Sequence, residues 1–326
     1  MENPQAIMTE AMNFMKSRVV LTSAELDLFT KLDEKPLTAA EIAERDKFNL
    51  KGLTRVLDCL AALGFVKKEG NCYFNTEKGA LFSSRHSETM LPMVLHFNRL
   101  WDNWGSLTDT VKGKTGRRQR VVKGLDRKSR EAFVGAMHVI GRTLSKEIAD
   151  SYDAGRFDCL LDIGGASGTY TMAFLSKNPK MKAVLYDLKE VIPLAKKRLE
   201  SDGFLHRVTL AAGDFHKDEL PEGCDLALLS AIIHQNSPEE NIVLYKKIYR
   251  ALRPGGTLLI RDHVMDESRT NPPPGALFAI NMLVNTMGGD TYTFAEVRDT
   301  LKRAGFVDIK LLRTGEKMDC LVEAVK

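Results

Sequence analysis

Few stretches restrict a chain as tightly as Cys159 to Tyr170, which reads Cys-Leu-Leu-Asp-Ile-Gly-Gly-Ala-Ser-Gly-Thr-Tyr. Leu160 to Ile163 is a short apolar run with an acid near its end. Three glycines among small residues follow, and apolar helical spacing resumes from Tyr170 to Lys177. The pattern predicts strand, tight turn, helix. Glycine reaches backbone conformations closed to other residues and lets a ligand approach the main chain, while a helix start carries N–H groups without intrahelical partners. A small ligand is therefore expected at this turn.

The spacing narrows the ligand. A dinucleotide fingerprint needs G-x-G-x-x-G, but Ala166 stands at the second glycine and Thr169 at the third; a phosphate-binding P-loop needs Gly-Lys-Ser/Thr, which does not follow. What remains is a βα turn without a pyrophosphate cradle. A second strand, Ala183 to Tyr186, ends in Asp187. An acid roughly 20 residues past such a turn can accept both ribose hydroxyls of a nucleoside. A third strand, Val208 to Leu210, is followed by Gly213-Asp214-Phe215, a carboxylate for an exocyclic amine and an aromatic face for a purine. By itself this triplet also fits a turn cap beside a core aromatic; with Asp187 and the glycine turn it points to an adenine nucleoside.

The run from Asp162 through Asp187, Gly213-Asp214-Phe215 and Leu252-Arg253-Pro254-Gly255-Gly256 resembles the class I S-adenosylmethionine-dependent methyltransferases. Nearly the whole chain is similar to the plant caffeic-acid and hydroxyindole type of small-molecule O-methyltransferase, which has many bacterial members. The resemblance implies an α/β fold, with a doubly wound Rossmann-like sheet following a mostly helical winged-helix dimerisation domain. It implies S-adenosylmethionine as methyl donor, S-adenosylhomocysteine as product, a small and aromatic acceptor, and a homodimer. It assigns Asp162, Gly164, Gly165, Gly168, Asp187, Asp214, Phe215 and Ser230 to the donor.

Length and composition agree with two domains. The 326 residues exceed one ordinary domain, and 44% hydrophobic residues can fill two cores. A formal charge of +4 is small for this size and does not by itself imply nucleic acid. The five cysteines, Cys59, Cys72, Cys159, Cys224 and Cys320, form no C-x-x-C pair and read as separate reduced thiols in a cytoplasm. No basic segment leads into an apolar core at the N-terminus, and no apolar stretch reaches membrane-spanning length. A cytoplasmic protein is expected.

The expected domains are residues 1–110, a linker with connecting helix at 111–150, and 151–326. In the first, Thr38 and Glu41 spell a capping box, Leu50 to Leu63 a helix, and Phe65 to Phe74 a hairpin around Glu-Gly-Asn. Helix, turn, helix, hairpin also describes a winged-helix DNA-binding regulator, here one that would sense S-adenosylmethionine. The recognition-helix candidate, Lys51 to Leu63, is mostly apolar and carries only two bases, whereas a groove-reading helix needs more outward Arg, Lys, Asn or Gln. The basic segment Lys112, Lys114, Arg117, Arg118, Arg120, Lys123, Arg127, Lys128 and Arg130 could attract an anion, but it reads better as a solvated linker.

Methyl transfer to a phenol needs a base, because a phenol pKa of about 10 leaves little phenolate at neutral pH. His234 follows the fourth strand, where the resembled family carries its catalytic histidine. Gln235 and Asn236 replace the family's usual Asp-Trp. Of two acids that orient this histidine in the family, the one in a Gly-Gly-Lys-Glu-Arg-Thr motif is replaced by Thr291 in Gly288 to Thr293, with Asp290 one residue away, and the other aligns with Glu323. Glu323 is therefore expected to support His234. The lost carboxylate keeps C- or N-methylation, or a non-methylating use of the cofactor, open. For the acceptor pocket the resemblance suggests Phe97, Trp101, Phe133, Met137, Asn281, Met282 and Asn285. No histidine, His263 beside Asp262 included, has a partner at metal-ligand spacing, so no metal is expected.

Overall fold

The computed structural model describes residues 3–114 and 126–326. It divides into two compact units, Met1–Trp101 and Asp102–Lys326. The first unit begins with helices α1 (Pro4–Glu25) and α2 (Leu28–Glu34). Strand β1 (Leu37–Thr38), helices α3 (Ala39–Asp46) and α4 (Leu50–Ala62), and strands β2 (Val66–Glu69) and β3 (Cys72–Asn75) follow, then α5 (Glu77–Ala80) and α6 (Leu91–Gly105), whose residues from Asp102 onward count with the second unit. The capping box forms as read: Thr38 Oγ1 accepts from Glu41 N–H at 3.1 Å, and Glu41 accepts from Thr38 N–H at 2.7 Å. Asn49 caps α4 through Gly52 N–H at 2.8 Å. β2 and β3 make an antiparallel hairpin that β1 extends in the order β1-β3-β2. Leu28, Phe29, Ile42, Leu57, Leu60 and Tyr73 are buried between helices and sheet, which completes a winged helix. On α4, Arg55 is paired with Asp58 of the same helix at 3.6 Å. The first helix instead leaves Ile7, Met8, Met12, Phe14 and Met15 exposed.

The second unit holds α7 (Leu107–Val111), α8 (Arg127–Ser151), β4 (Cys159–Ile163), α9 (Thr169–Lys177), β5 (Lys182–Asp187), α10 (Ile192–Ser201) and β6 (Val208–Ala212). Then come β7 (Cys224–Ser230), α11 (Pro238–Ala251), β8 (Leu252–Asp262), β9 (Val264–Met265), α12 (Pro273–Asn285), β10 (Tyr292–Thr293), α13 (Phe294–Ala304), β11 (Val307–Arg313) and β12 (Cys320–Val325). Seven strands form one sheet in the order β11-β12-β8-β7-β4-β5-β6. β8 through β6 run parallel, and β12 lies antiparallel between β8 and β11. Buried strands of a parallel sheet carry apolar side chains on both faces. Alternate residues accordingly divide into one core with Leu161, Ile163, Leu229 and Ile260, and another with Leu160, Phe174, Leu185 and Leu259.

Three local expectations change. The connecting helix α8 belongs to the second unit, where Leu144, Ile148 and Ala149 join the core beneath α9. Arg253-Pro254-Gly255-Gly256, whose proline and glycines by themselves spell a helix stop and turn, lies within β8: its pairing with β7 slips between Cys224 and Leu226, and this bulge absorbs the Pro-Gly-Gly residues. Cys159 and Cys224, read as separate thiols, stand side by side on the paired strands β4 and β7 with Cα atoms 4.7 Å apart. Arg117, Arg118, Arg120 and Lys123 of the basic segment lie outside the described residues. Among the described residues no helix is long and apolar enough to cross a membrane.

Candidate active site

The turn after β4 is held in its shape by the neighbouring strand. Gly164 N–H donates to Tyr186 O at 2.8 Å, and Asp187 accepts from Ala166 N–H at 2.8 Å and Leu188 N–H at 2.7 Å. Gly164 has φ +72°, and a Cβ there would come 2.6 Å from Ile232 Cδ1; glycine is required on both counts. Burial pushes the Asp187 carboxyl up to about 6, against the two backbone N–H groups that favour its charged form. Asp162, expected at the donor, lies against the turn, its carboxylate 3.0 Å from the Cβ position of Gly165. It is buried and accepts from Thr171 Oγ1 of α9 at 2.6 Å, with burial likewise raising it to about 6. This bond ties the end of β4 to α9. Gly165 packs on Leu185, and Gly168 (φ +79°) begins α9.

Beyond β6, Gly213 N–H donates to Asp187 O at 3.0 Å, and any side chain at Gly213 would overlap the Tyr186 hydroxyl. Asp214 accepts from His216 N–H at 3.0 Å and donates its own N–H to Asp218 at 2.8 Å. Phe215 Cε1 lies 3.9 Å from the Cβ position of Gly164, so the two loops meet. Sequence reasoning passed over Lys247 of α11. This buried ammonium donates to Phe215 O at 3.1 Å and Asp218 O at 2.7 Å, tying the loop to the helix behind it.

His234 sits in a one-turn 3₁₀ helix, Ile233–Gln235, just past β7, and is 9% exposed. Its Nδ1 is 2.9 Å from both carboxylate oxygens of Asp262, the last residue of β8. A carboxylate only accepts, so Nδ1 carries hydrogen, and Nε2 is the ring nitrogen that Asp262 does not engage. Burial raises the Asp262 carboxyl, but the His234 imidazole, Arg261 and the His263 N–H outweigh it and hold it below the usual carboxylate range. Phe278 of α12 meets the His234 ring edge-on at 4.9 Å and the His263 ring at 5.2 Å. Burial takes His263 down to about 4, so it is neutral.

Glu323, expected to support His234, does not reach it. Cys320 of β12 pairs with Asp262, and Glu323 pairs with Leu259. Three residues along a strand change the face, so Glu323 points to the opposite side of the sheet, accepting from Tyr152 Oη and from Arg156, both at 2.7 Å. Asp262 is the acid that replaces it. Thr291 is buried with its hydroxyl 3.4 Å from Gly275 O, and Asp290 is paired with Arg269 at 3.3 Å. Ser230, at the end of β7, accepts from Arg261 Nε at 2.9 Å.

The pocket candidates separate. Asn281, Met282 and Asn285 share one face of α12 with Phe278, by helical spacing. Trp104 Nε1 donates to Asn281 Oδ1 at 3.0 Å, Asn103 donates to Asn285 Oδ1 at 2.7 Å, and Asn285 donates to Asn281 Oδ1 at 2.9 Å. Phe133 and Met137 are half-buried on α8. Phe97 and Trp101 belong to the first unit, Phe97 exposed and Trp101 beneath the guanidinium of Arg18 at 5.3 Å. Among the described residues, no three His, Cys, Asp or Glu side chains gather as a metal site.

A half-buried acid at the end of β5, a turn where Gly164 and Gly213 leave no room for side chains, and an aromatic edge at Phe215 fit an adenine nucleoside. Comparisons with known proteins agree. A model of the O-methyltransferase domain matches residues 111–307, and one of the O-methyltransferase dimerisation domain matches residues 9–85. The chain is 31% identical to the tetracenomycin polyketide synthesis 8-O-methyl transferase of Streptomyces glaucescens, over 94% of this chain and 92% of that protein. It is 28% identical to the acetylserotonin O-methyltransferase of Gallus gallus, over 99% and 97%. The crystal structure of human N-acetylserotonin methyltransferase in complex with SAM superposes with a TM-score of 0.84 at 27% identity, covering 100% of this chain and 98% of that one.

Proposed function

Because the chain belongs to the O-methyltransferase family and is an S-adenosylmethionine-dependent enzyme, we propose that His234 is the general base that takes the proton from an aromatic hydroxyl as that oxygen is methylated. One observation carries this reading: Asp262 occupies Nδ1 of a buried imidazole, so the second nitrogen is the one able to accept a proton. The buried Asp262 carboxylate fixes the tautomer and stabilises the imidazolium that forms. Asp187 would hold the ribose of the donor, and Asp214 with Phe215 its adenine, while the turn from Gly164 to Gly168 would lie against its amino-acid portion. When bound, S-adenosylmethionine supplies a methyl group on a sulfonium, an electrophile that needs no metal.

The relatives are named for a tetracenomycin polyketide and for acetylserotonin, and we assign this chain an acceptor of that broad kind, a hydroxyl on a fused or substituted aromatic ring. Phe278 and the apolar side of α12 supply a surface for such a ring. Two observations support a homodimer: the dimerisation-domain match, and the exposed apolar face of α1. The test uses methyl-labelled S-adenosylmethionine with a panel of phenols that includes N-acetylserotonin, read by mass spectrometry. A labelled methyl ether formed by the wild type and lost in His234→Gln, with S-adenosylhomocysteine affinity retained, supports the assignment. Full turnover by the variant, or labelling on carbon or nitrogen alone, refutes it.

A further inference from the structure

Arg261 is a buried guanidinium in search of an anion. It lies on β8 one residue before Asp262 and is 5% exposed. Its register partner across β7 is Ser230, so both side chains leave the same face of the sheet. Nε donates to Ser230 Oγ at 2.9 Å and one terminal nitrogen donates to Met318 O at 2.9 Å, while the guanidinium carbon sits 5.0 Å above the centre of the Tyr170 ring. A guanidinium has five N–H donors, and these two bonds are neutral. Among the described residues no carboxylate lies within ion-pairing distance of Arg261. The two acids nearest in sequence and space are engaged elsewhere, Asp262 by His234 at 2.9 Å and Asp319 by Arg313 at 2.9 Å. Burying a charge without a counter-ion is costly, and the arrangement therefore suits a cation that meets its anion when a ligand arrives.

The order of the strands says which anion. Along the sheet run β6, β5, β4, β7 and β8. The adenine loop follows β6, Asp187 ends β5, the glycine turn follows β4, and Ser230 ends β7. A nucleoside held by its base and ribose over β6 and β5 must carry its tail across β4 toward β7. Neighbouring strands are about 4.8 Å apart, so the span from β5 to β7 is roughly 10 Å, a reach that suits an extended amino-acid chain on the 5′ carbon. Arg261 leans back over β7 through its bond to Ser230. We propose that Arg261, oriented by Ser230 and Tyr170, binds the α-carboxylate of the methyl donor. This assignment rests on the reading of the donor site above.

The test compares two nucleosides by calorimetry, S-adenosylhomocysteine and 5′-methylthioadenosine, which lacks the amino-acid chain. The wild type is expected to prefer S-adenosylhomocysteine. Arg261→Met should weaken S-adenosylhomocysteine about 10- to 100-fold, the effect of losing a charge-assisted hydrogen-bonded contact, while leaving 5′-methylthioadenosine within about two-fold. Arg261→Lys should recover part of the loss. Equal weakening of both nucleosides assigns Arg261 a purely structural role and overturns the proposal. Unchanged binding of both, with a raised KM for the acceptor, moves the anion to the acceptor and overturns it too. Should Arg261→Met fail to fold, the decarboxylated analogue of S-adenosylhomocysteine decides with the wild type: binding as tight as the parent refutes the carboxylate contact. Failure of the wild type to bind either nucleoside would refute the donor site itself, an outcome separate from these.

Discussion

Replacing Asp262 with Asn isolates the electrostatic part of the proposed base. The substitution keeps shape and volume, and the amide oxygen can still accept from His234 Nδ1, so the fold and the ring position should survive. What disappears is the negative charge, 2.9 Å from the ring nitrogen and 1% exposed. A pair of unit charges 4 Å apart at the effective dielectric of a protein is worth about 4 kcal/mol. The neutral hydrogen bond that remains returns about 1 kcal/mol. The net loss of about 3 kcal/mol falls on the state in which His234 has become an imidazolium, so kcat should drop roughly 100-fold at pH 7. S-adenosylhomocysteine affinity should stay within about two-fold, because Asp262 faces His234 and not the nucleoside cradle. Initial rates at saturating donor from pH 7 to 10 supply the check. As the pH approaches the phenol's own pKa of about 10, the acceptor ionises without help, and the gap between wild type and variant should narrow. A variant with wild-type kcat at pH 7, or one whose deficit is equal at every pH, would refute the reasoning.

The Asp187 carboxyl, raised by burial to about 6, should make donor binding pH-dependent. Ribose hydroxyls donate to the ionised form, so affinity for S-adenosylhomocysteine is expected to hold above pH 6 and fall as the pH drops through 6; an affinity flat from pH 8 to 5 would exclude the assignment. Asp187→Asn should weaken binding by about 10-fold or more at pH 7.5 and flatten that profile. Lys247→Met removes both bonds from the Phe215–Asp218 loop to α11. It should raise the KM for S-adenosylmethionine about 10-fold with kcat little changed; a fall in kcat at saturating donor would show that the loop does more than bind. Met8→Lys with Met15→Lys, on the exposed face of α1, should shift the protein toward monomer in sedimentation equilibrium, and an unchanged mass would locate the dimer contact elsewhere.

What the sequence determined by itself is what local chemistry dictates. The glycine turn, the acids at the ends of β5 and β6, the Thr38–Glu41 capping box and the hairpin at Gly70 each depend on a few consecutive residues, and each stands where its pattern put it. Alternation of strands and helices gave the parallel sheet for the same reason. His234 was legible because it follows a strand that ends at the site. Its partner was not. Asp262 and Glu323 are both acids on strands adjacent in the sheet, and only the register of β12 on β8, with side chains changing face at every residue, turns one toward the imidazole and the other toward Tyr152 and Arg156. The same holds for Lys247 reaching the loop after β6, and for Arg261 beside Ser230: a charge on a helix or an arginine in an apolar strand has no readable purpose until packing decides what it faces. Tertiary structure decided these contacts because they join residues distant in sequence, at distances of about 3 Å that strand register and helix docking set and that no single stretch of the chain contains.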